Sequence, residues 1–234
     1  MTFSGRKGAD RGTGLAGDLA GYLVTLRDPM SAASEAYRTL RANLLYGVVD
    51  DPPKVIVITS PGRGEGKSIT CANLGVVLAQ VGKSVLVVDC DLRKPTLHSV
   101  FGLGNELGLI TALVKERSLQ DTWDQPMEGL RVLTAGPTPP NPAEVLSTQR
   151  FAELMQQLRE EFDYVLLDGP PLGHVADSAI LSVHADGSLL VIDSQNTRKV
   201  AVRRSVRDLE AVGGEVIGVV MNKAQGFGIN NYYG

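Results

Sequence analysis

The amino-acid sequence predicts an α/β fold, a mostly parallel central sheet with helices on both faces. Three observations carry that expectation. Runs such as Val55-Ile56-Val57-Ile58, Val85-Leu86-Val87-Val88 and Val165-Leu166-Leu167 are continuously apolar, as strands covered on both sides must be. Amphipathic stretches of helical length separate them. The strands also end in glycine-rich or acidic turns, where parallel α/β sheets keep their chemistry. With 234 residues, 43% hydrophobic and 21% charged, the chain is sized for one large domain with a substantial core.

Taken in order, residues 1–21 are glycine-rich with mixed charges and read as a mobile leader, so that 1–30 precedes the folded domain. Ser31 is placed to cap a helix running to about Gly47, with Glu35 in its first turn. Tyr37, Leu40, Leu44 and Val48 recur at helical spacing and form its buried stripe. Asp51-Pro52-Pro53 breaks the chain before the first core strand, 54–59. Helix 67–81, strand 84–89, a helix near 108–116 and a short strand 130–134 follow. The proline-biased segment Gly136 to Pro142 reads as a rigid connection, or as a wall of a nearby site, and Pro142 suits a first helical turn. Then come helix 142–161, strand 163–168, helix 176–184, strand 188–193, helix 199–211 and strand 215–221. The domain spans 31–225, and 226–234 forms a glycine-rich, uncharged tail ending in Tyr232 and Tyr233.

A net charge of −3 gives no sign of a nucleic-acid partner. No apolar run reaches the ~20 residues of a membrane span, and the N-terminus lacks a signal peptide's hydrophobic region. A cytoplasmic protein is expected, reaching a membrane through a partner. Cys71 and Cys90, without CxxC spacing, read as reduced thiols. The basic positions Arg198, Lys199, Arg203, Arg204 and Arg207 read as an exposed helix face, with docking to an acidic partner as the alternative.

Gly62-Arg63-Gly64-Glu65-Gly66-Lys67-Ser68 follows a buried strand in the order a phosphate-binding loop requires. Its glycines let successive N–H groups face phosphate oxygens. Lys67 supplies charge for the β- and γ-phosphates, and Ser68 a hydroxyl for Mg²⁺. Pro61 stands where the general pattern has its first glycine, and Gly62 comes one place late. The fold is thus P-loop NTPase-like. Asp168, closing the strand before Gly169-Pro170-Pro171, is a candidate Mg²⁺ ligand. Asp89 and Asp91 lie two apart and share a face on an extended strand end. One can hold Mg²⁺ while the other takes a proton from a tyrosine hydroxyl; Asp89 is the first choice as base, and which does which stays open. The alternative is a turn in which Arg93 neutralises Asp91. Arg93 and Lys94 either contact phosphate or are solvated, and Asn222 is a candidate for contacting the purine base of ATP.

These residues resemble the bacterial tyrosine kinases, the P-loop family linked to capsule and exopolysaccharide assembly. The resemblance covers roughly 30–234 and rests on Glu35-Ala36-Tyr37-Arg38-Thr39-Leu40-Arg41, the loop Ser60–Ser68, Asp89-Cys90-Asp91-Leu92-Arg93, Asp168-Gly169-Pro170-Pro171 and the tyrosine-bearing tail. It implies ATP and Mg²⁺ as cofactors, with Asp89, Asp91 and Asp168 binding metal and activating the acceptor. It implies ring-like self-association through Glu35, Arg38 and Arg41, and transfer in trans to Tyr232 and Tyr233. It also implies a separate membrane-bound modulator with a cytoplasmic activating segment, which would hold the chain at the inner face of the membrane. Two alternatives are a MinD/ParA-like ATPase switch, whose loops carry an early lysine where Gly62 stands, and a non-enzymatic nucleotide-gated scaffold.

Overall fold

Seven strands form one sheet in the computed structural model, which describes residues 21–47, 52–114, 118–173 and 177–224. Strand β1 (Val55–Thr59) lies centrally between β5 (Tyr164–Asp168) and β6 (Gly187–Asp193). Beyond β5 come β2 (Val85–Asp89), β4 (Leu130–Leu133) and β3 (Asp124–Met127), and beyond β6 comes β7 (Val216–Asn222). Every pairing is parallel except β3 with β4. The sequence gives no sign of β3, because Asp124-Gln125-Pro126-Met127 has no apolar run. Pro126 is tolerated because β3 is an edge strand.

Alternate residues of the central strands feed two cores. Ile56, Ile58, Val85 and Val87 pack with α3 (Lys67–Ala79), while Val55, Val57, Leu86 and Val88 pack with α7 (Gln149–Glu161). Helices therefore cover both faces, as the continuous apolar runs require. Helix α3 is the most enclosed, and an added Cβ at Gly75 would stand 2.6 Å from Val87 Cγ2, so glycine here lets helix and sheet approach closely. Its fully buried Asn73 is satisfied from outside. Oδ1 accepts from the Thr25 N–H (3.1 Å) and hydroxyl (2.9 Å), and Nδ2 donates to the carbonyls of Tyr22 and Ile69.

That contact changes the expected boundary of the leader. Residues 22–28, including the short helix α1 (Val24–Arg27), pack on the domain with Leu23 and Thr25 buried. Residues 1–20 and the tail 225–234, with Tyr232 and Tyr233, lie outside the described residues, as does Val48. Helix α2 (Ala32–Tyr46) forms as expected. Ser31 Oγ accepts from Ser34 N (3.2 Å), and Tyr37, Leu40 and Leu44 face the core. Two further helices, α4 (Leu97–Phe101) and α5 (Leu109–Val114), follow β2, and α4 is too short for its periodicity to be seen in sequence.

The helix expected over 142–161 is two. Helix α6 (Pro142–Leu146) starts on its proline, and α7 starts afresh after Thr148, whose Oγ1 accepts from Phe151 N (3.2 Å). Ser147 and Thr148 hydroxyls also bond the carbonyls of Ala143 and Val145, offering the backbone an alternative to continuous helix. Helices α8 (Asp177–Ser182) and α9 (Lys199–Glu210) complete the fold. Among the described residues no helix is long and apolar enough to cross a membrane.

At the amino end of β1, Asp186 Oδ2 accepts from Lys54 N and Val55 N (both 2.8 Å), and Oδ1 accepts from Arg159 Nη1 (2.6 Å). Burial raises this carboxyl's pKa, but the bonds from Val55, Arg159 and Lys54 outweigh it and hold the group below the usual range. A depressed carboxylate contributes stability above its unfolded pKa of about 4 and loses it as pH falls through the folded value. Asp186→Ala is expected to cost about 1–3 kcal/mol at pH 7. The gap from the parent chain should narrow as pH falls below about 4, as measured by thermal melts at decreasing pH.

Candidate active site

The loop Ser60–Gly66 leaves the carboxyl end of β1 and opens directly into α3. Gly64 and Gly66 have φ of 75° and 96°, and a Cβ on Gly66 would lie 2.0 Å from Asn222 Nδ2. Glycine is required at Gly66 by both conformation and space. Asn222, closing β7, donates Nδ2 to the carbonyl of Glu65 (2.8 Å), so the structure shows its amide bracing the loop. Glu65, counted among the expected nucleotide-binding residues, turns its side chain into the protein. Its Oε2 accepts from Asp193 N (3.1 Å) and Thr197 Oγ1 (2.8 Å). Lys223 Nζ completes this clamp with bonds to Gly64 O (2.9 Å) and Asp193 Oδ2 (2.8 Å). Sequence reading overlooked Asp193, Thr197 and Lys223. Their signal was that β6 and β7, apolar until then, both end on polar residues.

The strand order brings two distant acids to the same place. Asp89 and Asp168 close neighbouring strands and are paired in register, beside β1 and its loop. Lys67 Nζ lies 3.1 Å from Asp91 Oδ2, 3.3 Å from Asp168 Oδ1 and 3.2 Å from Ser68 Oγ. Burial would lower the ammonium's pKa, but Asp168 and Asp91 outweigh it and hold the group charged. Asp168 is fully buried, and burial pushes its carboxyl up despite Lys67.

The two members of the Asp89-Cys90-Asp91 arm have different surroundings, since β2 ends at Asp89. Asp89 Oδ2 accepts from Thr96 N and Leu97 N (both 2.9 Å), and Oδ1 accepts from Asp91 N (3.2 Å). Fully buried next to Asp168, its carboxyl is raised to about 8 by burial and that neighbour. Asp91, by contrast, lines a cleft of about 450 Å³ together with Lys67 and Ser68. Tyr22, Ile69, Val100, Pro170 and Pro171 give this cleft an apolar wall. Arg63, Gly64 and Gly66 of the loop also border it. Arg93 does not neutralise Asp91. Its guanidinium is paired with Asp177, the first residue of α8.

The residues fit a Mg²⁺ ion bound jointly with phosphates. Asp168 Oδ2 is buried with no hydrogen-bond partner among the described residues, and the Ser68 hydroxyl and Asp91 carboxylate add hard oxygen donors. Among the described residues no cluster of three or more acidic, His or Cys side chains is arranged to hold a metal unaided. On α2, Glu35 and Arg38 form an exposed ion pair (2.8 Å), whereas Arg41 Nη1 donates to Val77 O (3.0 Å) near the carboxyl end of α3. Arg41 thus ties α2 to α3 through one of its donors. Cys71 and Cys90 are buried free thiols.

Comparison with known proteins places this geometry. The family model ParA, described as the NUBPL iron-transfer P-loop NTPase, matches residues 52–228. Tyrosine-protein kinase YwqD of Bacillus subtilis is 44% identical over 86% of this chain and 85% of its own length. Putative tyrosine-protein kinase CapB of Staphylococcus aureus is 37% identical over 83% of this chain and 86% of its own. Among solved structures, the chimerical protein CapA2B2 matches with a TM-score of 0.84 at 38% identity, covering 87% of this chain and 90% of that one. The kinase domain of the Escherichia coli tyrosine kinase ETK matches with a TM-score of 0.81 at 30% identity, covering 87% of this chain and 82% of that one.

The different surroundings of the paired acids predict different consequences. Asp89→Asn removes an acceptor from a carboxylate that holds three backbone N–H groups, and should destabilise by about 1–3 kcal/mol. Asp91→Asn, whose Oδ1 can still accept from Lys94 N, should leave the melting temperature close to that of the parent. Melts of the two variants without nucleotide check this ordering, and equal losses would contradict it.

Proposed function

The chain belongs to the bacterial tyrosine kinases, and from that premise we propose that it is an ATP- and Mg²⁺-dependent autokinase that phosphorylates its C-terminal tyrosines in trans. The observation that carries the reading is the cleft itself. A phosphate loop, Lys67 and Asp91 stand at one end, and an apolar wall suited to an aromatic ring flanks them. A hydrolase needs only water at that point, whereas an aryl acceptor needs apolar surface.

In the proposed mechanism, loop amides and Lys67 receive the β- and γ-phosphates, with Lys67 exchanging its carboxylate contacts for phosphate oxygens. Ser68 and Asp168 would hold Mg²⁺, which would supply charge neutralisation for the phosphates. The phenolic oxygen of Tyr232 or Tyr233 from a neighbouring copy forms a bond to the γ-phosphorus as the bond to the β–γ bridging oxygen breaks. ADP departs, and the phenolic proton passes to a carboxylate of the Asp89–Asp91 arm. Asp91 is the member open to the cleft, so we assign it the proton and give Asp89 the task of holding the turn. With a pKa near 10 the phenol is protonated at neutral pH, and a nearby base assists its attack.

Self-association would use the exposed Glu35–Arg38 pair, with Arg41 supporting the helix from within. Its cellular setting would be exopolysaccharide or capsule biosynthesis. There a membrane-bound modulator on a separate chain would activate it at the inner face of the membrane. Asn222 would act on the nucleotide through the loop it braces. A MinD-like ATPase switch is the second reading. Cell-division ATPase MinD of Pyrococcus furiosus shares the fold (TM-score 0.62, 26% identity), but Gly62 stands where such switches carry a lysine.

With Mg-ATP and a modulator's cytoplasmic segment, the parent chain should accumulate phosphotyrosine, and Lys67→Met should lose it by at least about 10²-fold while remaining folded by circular dichroism. Tyr232→Phe combined with Tyr233→Phe should remove the signal from the tail. Mixing Lys67→Met protein with a tailless active chain should restore it on the Lys67→Met copy. ATP hydrolysis with no phosphotyrosine in any mixture would favour the switch instead.

A further inference from the structure

The ion pair between Arg93 and Asp177 joins the two acidic arms of the site. Arg93 follows Asp91 in the turn after β2, and Asp177 opens α8 after β5. Nε donates to Asp177 Oδ2 (2.8 Å) and Nη2 to Oδ1 (3.2 Å), a two-pronged contact that fixes the plane of the guanidinium. Asp177 is 1% exposed, whereas Arg93 is 43% exposed and lines the same cleft as Lys67, Ser68 and Asp91. One edge of the guanidinium is thus consumed by a buried carboxylate, and Nη1, with both its hydrogens, is left outside that contact. Helix α8 is itself fastened to the Asp168 turn, where Ser178 Oγ and Thr59 Oγ1 (2.8 Å) both donate to Pro170 O. Asp177 therefore stands on the rigid part of the site, and Arg93 is the part presented to the cleft.

We propose that Arg93 is a catalytic residue that grips the transferring γ-phosphoryl group from within its own chain, and that Asp177 is the positioning residue that aims it. The proposal rests on the phosphotransfer reading above. A buried carboxylate is costly without a partner, so the pair would hold as a structural tie whether or not phosphate is bound. A guanidinium with unused donors on the wall of a phosphate-binding cleft can do more. It distinguishes a nucleotide with a γ-phosphate from one without, and it meets charge on the equatorial oxygens as transfer proceeds. Lysine cannot hold the two-pronged contact with Asp177 and reach the phosphate at once.

The test measures nucleotide binding and turnover separately, using full-length protein and Mg²⁺. Arg93→Ala should weaken binding of a non-hydrolysable ATP analogue about tenfold or more while leaving ADP affinity unchanged, and should cut kcat for phosphotyrosine formation by about 10²–10³-fold. Added guanidinium ion should restore part of that rate in Arg93→Ala. Arg93→Lys should recover less than half of the lost analogue affinity. Asp177→Asn should show the same discrimination more weakly, with kcat affected more than KM for ATP. Equal loss of ADP and analogue affinity, or kinetic losses that merely follow a lowered melting temperature, would reduce the pair to a structural tie. If the parent chain makes no phosphotyrosine, the kinase reading fails. The binding comparison still decides whether Arg93 meets a γ-phosphate.

Discussion

One buried ammonium holds two carboxylates in this molecule, with a third acid beside them. Lys67 lies within 3.3 Å of both Asp91 and Asp168, and Asp89 sits in register beside Asp168 on the neighbouring strand. Such an arrangement survives only because each remaining oxygen is placed on something. Asp89 takes three backbone N–H groups, and Asp91 takes the Lys94 N–H. The exception is Asp168 Oδ2, buried without a partner among the described residues. Unpaired buried carboxylate oxygen is expensive, so the fold holds in reserve a place for positive charge.

The phosphate loop is held from the opposite side. Glu65, Asp193, Thr197, Asn222 and Lys223 tie it to the ends of β6 and β7, and the Lys223 ammonium holds the Asp193 carboxyl well below the usual carboxylate range. Loop amides that must face phosphate oxygens gain from being arranged beforehand, since ordering them at binding would cost conformational entropy. The clamp and the acidic arms meet at β1, which is why the central strand carries the loop.

Much of this was readable in the chain. Continuous apolar runs specified β1, β2, β5 and β6, and the loop, Asp89, Asp91 and Asp168 all stood out as charges at the ends of such runs. What stayed hidden has a common physical character. The edge strand β3 forms by pairing with β4, against its own composition. The break between α6 and α7 depends on hydroxyl groups choosing backbone partners. Residues 22–28 dock because Asn73, buried in the middle of α3, needs their backbone and Thr25. The different surroundings of Asp89 and Asp91 follow from where β2 ends, and strand pairing decides that. Pairwise partners such as Arg93 with Asp177 are 84 residues apart, a relation no local pattern encodes.

Charge balance then orders the events at the site. Before nucleotide arrives, Lys67 is shared between Asp91 and Asp168. A triphosphate brings several further negative charges to the same few ångströms, and drawing Lys67 toward them strips the two carboxylates of their compensation. On this reading nucleotide would enter favourably only with a divalent cation beside Asp168 Oδ2 and Ser68 Oγ. On the proposed reading, once Lys67 has moved Asp91 would keep only the bond from Lys94 N and would stand free on the wall of the cleft to meet an incoming phenol. The displacement that binds the donor would thus be the one that frees the acceptor's base, which would couple phosphate occupancy to transfer within one set of contacts.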